Sequence, residues 1–218
     1  MKLKENGMSD KDKKQDTNIS RRSFIKGVGT GTVAATVAPA ILVSDEKTAE
    51  AQTDQAISKA EIQLNINDTL YEIEVEARTT LLTVLRDGTD TGGNNVDLTG
   101  AKLICDRGEC GGCTVLVDGK AVYACMMLAM DAQGKQITTV EGIANGDNLH
   151  PIQEAFIKHD AMMCGFCTPG FIVSSVALLN ENRKPTLTEI KEGLSGNTCR
   201  CGTYPFIFDA VEIASEKM

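Results

Sequence analysis

The chain's 218 residues suffice for one or two domains with a buried core, and they carry a net charge of −8 with no tryptophan. There is no long basic run and no evident aromatic platform, which argues against nucleic acid as a partner. Acidic chains of this kind are typically soluble, and the negative charge suits docking to a basic redox partner.

Residues 1–52 do not read as a folded domain. A polar, lysine-rich opening leads to Ser20-Arg21-Arg22-Ser23-Phe24-Ile25-Lys26 and then to a mildly apolar stretch, Gly27 to Val43, rich in Gly, Ala and Thr. A charged region, paired arginines and modest hydrophobicity make a twin-arginine export signal and leader. The competing reading is a retained membrane anchor, but the run is only about 17 residues, at the short end for spanning, and contains Pro39. Ala38-Pro39-Ala40 and Ala49-Glu50-Ala51 are both candidate cleavage sites. The expected location is periplasmic, or otherwise beyond the cytoplasmic membrane, with membrane contact only through an uncleaved signal. Residues 53–60 read as a linker.

Residues 61–143 form a β-rich module. Ile62, Leu64 and Ile66 alternate with polar residues, as do Tyr71, Ile73 and Val75, across an Asn67-Asp68 turn, which is hairpin periodicity. Thr79 or Thr80 caps a short helix carrying Leu81, Leu82, Val84 and Leu85, and Gly88 ends it. Asp87 to Thr99, rich in Gly, Asn and Thr, reads as a loop. A second hairpin, Thr114–Val117 and Lys120–Tyr123, turns at Asp118-Gly119, and Gln136 to Val140 reads as a last strand.

Between helix and hairpin lies Cys105-Asp-Arg-Gly-Glu-Cys110-Gly-Gly-Cys113, with Cys125 after the hairpin. This C-x4-C-x2-C…C spacing is that of a plant-type [2Fe–2S] centre held by four thiolates. Glycines belong in such a loop, which must turn tightly and bring backbone N–H groups close to sulfur. Four disulfides would be the ordinary reading of an even cysteine count in an exported chain. Short, Gly-rich spacings make poor staples, however, and Cys199 and Cys201 are too close for an easy bond with each other. The twin-arginine route carries folded proteins, so an export signal and cluster ligands are compatible.

Residues 144–218 turn helical after a Gly146-Asp147 boundary. Pro151 opens a helix bearing Ile152, Ala155, Phe156 and His159. Pro169 opens another with Phe171, Ile172, Val176 and Leu179 inward. A Thr186/Glu189 capping box starts a third with Ile190 and Leu194, and Pro205 starts the last with Ile207, Val211 and Ala214. The loops hold a second cysteine set, Cys164-Gly-Phe-Cys167 and Cys199-Arg-Cys201. Taken alone, that set fits a structural zinc site as well as an iron–sulfur centre. A thioredoxin-like pair at Cys164/Cys167 lacks the βαβ setting such a motif needs. His150 reads as a helix-start residue and His159 as surface or interface. No Ser–His–Asp set, phosphate loop, flavin fingerprint or acid–base pair stands out, so no catalytic residue is expected in this chain.

The two sets in this order resemble the iron–sulfur subunit of the molybdenum hydroxylases, the xanthine dehydrogenase and aldehyde oxidoreductase family. The resemblance runs from about Glu61 to Ala214. It is carried by the Cys105–Val117 motif, Leu149-His150-Pro151-Ile-Gln153, Cys164-Gly-Phe-Cys167-Thr-Pro-Gly and Gly196-Asn-Thr-Cys199-Arg-Cys201-Gly. It implies an α+β fold: an N-terminal β-grasp ferredoxin domain over residues 61–143, then a four-helix [2Fe–2S]-binding bundle over residues 144–218. It also implies two [2Fe–2S] clusters, on Cys105, Cys110, Cys113 and Cys125 and on Cys164, Cys167, Cys199 and Cys201. The implied partner is a large molybdopterin-binding subunit that oxidises an aldehyde or N-heterocycle. Electrons would leave that subunit through Cys201's cluster, then the plant-type cluster, towards an FAD subunit or an external acceptor such as a cytochrome. A free-standing exported ferredoxin-type carrier is the alternative, though it has no use for the helical half. Two departures stand out. The family usually crosses residues 87–99 in fewer residues. The residue before Cys164, commonly a pterin-facing Gln, is here Met163, which with Cys201 would lie near the partner's pterin.

Overall fold

The computed structural model describes residues 58–218, which form one compact unit. The twin-arginine motif, both cleavage sites and most of the 53–60 linker lie outside the described residues.

Strands β1 (Lys59–Ile66) and β2 (Thr69–Glu76) form the first hairpin, β1 beginning two residues ahead of the expected Glu61. Asn67 and Asp68 both take positive φ (50° and 63°), the twist a two-residue turn needs to match its flanking strands. Helix α1 (Leu81–Asp87) is capped by Thr80, whose hydroxyl accepts from the Thr83 N–H, and it ends at Gly88. Strands β3 (Thr114–Val117) and β4 (Lys120–Tyr123) pair around Asp118-Gly119, as the sequence predicts. β5 is shorter than expected. It covers only Gln136–Thr138, because Val140 turns away into a single helical turn, Val140–Gly142.

The five strands make one sheet in the order β2-β1-β5-β3-β4, with β1 and β5 parallel and the other neighbours antiparallel. Ile62, Leu64, Ile66, Ile73, Val75, Val115, Val117 and Ile137 point to one core with the four apolar residues of α1. The 88–99 segment is not a free loop. Asp90 bridges Ile73, the Thr91 N–H donates to Glu72 O at 2.7 Å, and Val96 is buried, so the segment is laid along the β2 edge.

Four helices follow: α2 (Pro151–Lys158), α3 (Thr168–Glu181), α4 (Leu187–Gly193) and α5 (Tyr204–Ser215). Their starts match the sequence signals. His150 and Gln153 form a capping box at α2, Thr186 and Glu189 form another at α4, and Pro falls in the first turn of α2, α3 and α5. Phe156, Phe171, Leu179, Ile190, Ile207 and Val211 fill a second core. One strand serves both cores. Val115 and Val117 face the first, while Leu116, pointing the other way by strand alternation, joins the second, and so every residue of β3 is buried. His159, expected at the surface or at an interface, is half-buried at the end of α2, and its Nε2 is enclosed without a hydrogen-bond partner. Among the described residues no helix is long and apolar enough to cross a membrane.

Candidate metal centres

The eight cysteines are all free thiols, and each lies next to thiols of its own expected set. The first is built by the loop ahead of β3 and by the turn after β4. Cys113 and Cys125 are buried, whereas Cys105 and Cys110 are half-buried. The Ala124 N–H donates to Cys113 O at 3.2 Å, so the β3–β4 hairpin itself returns Cys125 to its partners. The second set joins the loop before α3 to the loop before α5. There Cys167 precedes the first turn of α3, and Cys164 Sγ lies 3.4 Å from Cys201 Sγ.

Within each set the thiols influence one another, most strongly two by two, with weaker links between the pairs. Cys105 interacts with Cys110, Cys113 with Cys125, Cys164 with Cys201 and Cys167 with Cys199. Burial raises the Cys105 thiol, yet the N–H groups of Arg107, Glu109 and Cys110, with the Cys110 thiol, outweigh it and bring the pKa down to about 7. Cys113 is pushed up to about 12 by burial and then by Cys125. Cys167 is likewise pushed up to about 12 by burial and by Cys199. Burial also opposes ionisation of Cys199, but the Thr203 hydroxyl 3.0 Å from its sulfur, with nearby N–H groups, brings it to about 7. The Phe166 N–H and the Cys201 thiol lower Cys164. In the pairs Cys105/Cys110, Cys164/Cys201 and Cys199/Cys167, one thiol is lowered while its partner is raised. A metal ion that takes both sulfurs displaces whatever protons they hold.

A structural zinc ion draws four ligands around one point. Two pairs of thiols are what a binuclear centre takes, one pair per iron. The residues present fit two [2Fe–2S] centres.

The sets meet at a seam. A cavity of about 200 Å³ is lined by Ile104 and Cys110 on one side and by Cys164, Phe166, Cys167, Thr198 and Arg200 on the other. A larger hollow of about 480 Å³ at Asn65 and Gln136 contains no cysteine and offers no comparable chemistry. Sequence patterns gave no role to Asn197, Thr203, Tyr123 or Tyr204, all of which support the cysteines. The Cys199 N–H donates to the Tyr204 hydroxyl at 2.8 Å, and the Tyr123 hydroxyl donates to Gly196 O at 3.0 Å. Asn197 stands inside the recognised Gly196-Asn-Thr-Cys199 motif, but its partners lie far away in sequence and leave no periodic trace. Met163 is 71% exposed beside Cys164, and Cys201 is exposed as well.

Residues 139–212 match the family described as the [2Fe–2S] binding domain. The chain is 42% identical to the aldehyde oxidoreductase iron–sulfur-binding subunit PaoA of Escherichia coli O157:H7, covering 92% of this chain and 90% of that one. The chain belongs to the iron–sulfur subunits of the xanthine dehydrogenase and aldehyde oxidoreductase family. Quinoline 2-oxidoreductase from Pseudomonas putida 86 is similar in structure, with a TM-score of 0.67, 39% identity, and coverage of 72% of this chain and 94% of that chain. The aldehyde oxidoreductase of Desulfovibrio desulfuricans gives a TM-score of 0.66 at 40% identity over 72% of this chain, but the match spans only 17% of that chain. As a member of this family the subunit serves in electron transfer, and the molybdenum site of the oxidoreductase lies on a partner chain.

Proposed function

We propose that Cys105, Cys110, Cys113 and Cys125 hold one [2Fe–2S] centre, that Cys164, Cys167, Cys199 and Cys201 hold the other, and that the second faces the molybdopterin of a large subunit. The pairing of thiols within each set carries the ligand assignment. Bound there, a [2Fe–2S] centre accepts and releases one electron at a time. The chain's own part is to supply thiolates, to aim N–H groups and the Thr203 hydroxyl at sulfur, and to bury Cys113 and Cys125. Each of these bears on the potential.

Exposure supports the orientation. Met162, Met163, Phe166 and Phe206 are all exposed apolar side chains near or within the two loops that carry the second set. An apolar face around exposed Cys164 and Cys201 suits a permanent partner better than water. It therefore favours a complex over a free-standing carrier. In the Desulfovibrio enzyme a matching segment is a small part of one long chain, which also fits a companion for this short one. The sheet with α1 (61–143) is read as a β-grasp ferredoxin domain and the four later helices (144–218) as the second cluster domain. The substrate class is an aldehyde or N-heterocycle, and the acceptor beyond the first set is an FAD subunit or a cytochrome. Arg21 and Arg22 direct export to the periplasm by the twin-arginine route.

Purification of the chain with whatever binds it tests this reading. A large molybdenum-containing partner and about four irons per subunit, by ligand count, are expected. Zinc in either set, or an iron-loaded subunit that never associates, would overturn it. Replacing both Arg21 and Arg22 by Lys should retain the loaded protein in the cytoplasm; unchanged export would refute the signal.

A further inference from the structure

Asn197 is 4% exposed and lies two residues ahead of Cys199. Its Nδ2 donates to Gly111 O at 2.9 Å, inside the first cysteine loop, and reaches Thr114 Oγ at 3.4 Å on β3. Its Oδ1 accepts from Ser174 Oγ at 2.8 Å on α3. One buried amide thus ties the first loop, the sheet and the longest helix of the second half to the loop of Cys199. The next residue continues the seam: the Thr198 N–H donates to Cys110 O at 3.0 Å. A polar path therefore runs from the backbone of Cys110 across one hydrogen bond to Thr198, which is bonded to Cys199.

The approach depends on missing side chains. A Cβ on Gly111, at φ +66°, would meet Asn197 Nδ2 and Gly196 O at 2.5 Å, and one on Gly170 would run into Gly111 O. The seam also needs an amide in particular. Only a side chain that donates to a carbonyl while accepting from a hydroxyl satisfies both neighbours; Asp loses the donor and Ala loses both functions.

We propose that Asn197 is the positioning residue that fixes the separation of the two cysteine loops, and so sets how readily an electron crosses between the centres they hold. The inference rests on the assignment of the cysteines to two [2Fe–2S] centres. One electron passes from the reduced second-set centre to the oxidised first-set centre, with no bond made or broken and no proton moved.

The test uses the loaded complex carrying Asn197→Ala, Asn197→Asp or Ser174→Ala, with three readouts: iron per subunit, the electron paramagnetic resonance of each centre with any splitting between them, and the rate at which the first-set centre is reduced after the second. Both Asn197 variants should keep both signals, while the splitting changes and the transfer slows several-fold as the loops move apart. Ser174→Ala should shift the same readouts less. Loaded variants with unchanged splitting and rate would overturn the proposal. If Asn197→Ala fails to load iron, Ser174→Ala decides, since it removes one bond and leaves the amide in place; an unchanged rate there overturns the proposal. A wild-type complex with fewer than two centres would instead refute the cluster assignment.

Discussion

The two cysteine sets differ in how they are built and in what they show to solvent. The first comes from one continuous stretch, Cys105 to Cys125, and hides Cys113 and Cys125 in the sheet core. The second is assembled across α3 and α4 from two loops, and it leaves Cys164 and Cys201 exposed under an apolar rim. A centre held by the first set is anchored on its buried side by its own domain, through Cys113 and Cys125. One held by the second is completed by whatever covers that rim. The two ends of the subunit are therefore not interchangeable, and the comparison can be broken at several points.

Ligand loss should separate the two ends most sharply. With Cys110→Ser in an assembled complex, substrate should still reduce the second-set centre, while turnover with the natural acceptor falls to near zero. With Cys201→Ser, substrate should fail to reduce an intact first-set centre rapidly. Stopped-flow absorbance with the iron count reads both, and only variants that remain assembled are informative, because ligation and folding are coupled. The opposite pattern would reverse the order of the two centres.

A smaller effect distinguishes the seam from the rim. Gly111→Ala meets both a left-handed φ and a blocked approach to Asn197 and Gly196. Strain of about 1–2 kcal/mol and overpacking of about 1–3 kcal/mol should together cost roughly 2–5 kcal/mol. Gly165, at φ +77°, has open space where its Cβ would go, so Gly165→Ala should cost only the conformational part, about 1–2 kcal/mol. Thermal unfolding of the loaded subunit checks the difference. Equal losses at the two glycines would show that the seam is not close-packed.

The smallest expected effect lies on the rim. Met163 is exposed and unbonded by its side chain within the subunit, so Met163→Gln should leave folding unchanged. Any amide contact it makes to the partner's pterin is worth about 0.5–1.5 kcal/mol as a neutral hydrogen bond. Molybdenum content after extended dialysis should be equal or slightly higher. A loss of the cofactor would instead show that Met163 packs specifically against the partner.

Much of this was legible in the chain alone. Alternation gave the first hairpin, the Asp118-Gly119 turn gave the second, a cap at Thr79 or Thr80 and those at His150 and Thr186 marked helix starts, and the Cys105–Cys113 spacing gave a first centre, because all of these are local rules acting over a few residues. Three things needed tertiary structure. β5 stops at Thr138 because Asn67 binds the backbone and hydroxyl of Thr139 and Glu141 accepts the Gly100 N–H, contacts with residues distant in sequence. His159 follows Ile152, Ala155 and Phe156 on the helical period, but the enclosure of its Nε2 without a partner is set by packing. The pairing within the second set is legible only in the fold, which places Cys164 against Cys201 and Cys167 against Cys199, while the choice of iron over zinc rests on the match of residues 139–212 to the [2Fe–2S] binding domain. Spacing states which residues are near in the chain, whereas pairing depends on where two helix starts meet, and that is set by the packing of α3 and α5 in a shared core.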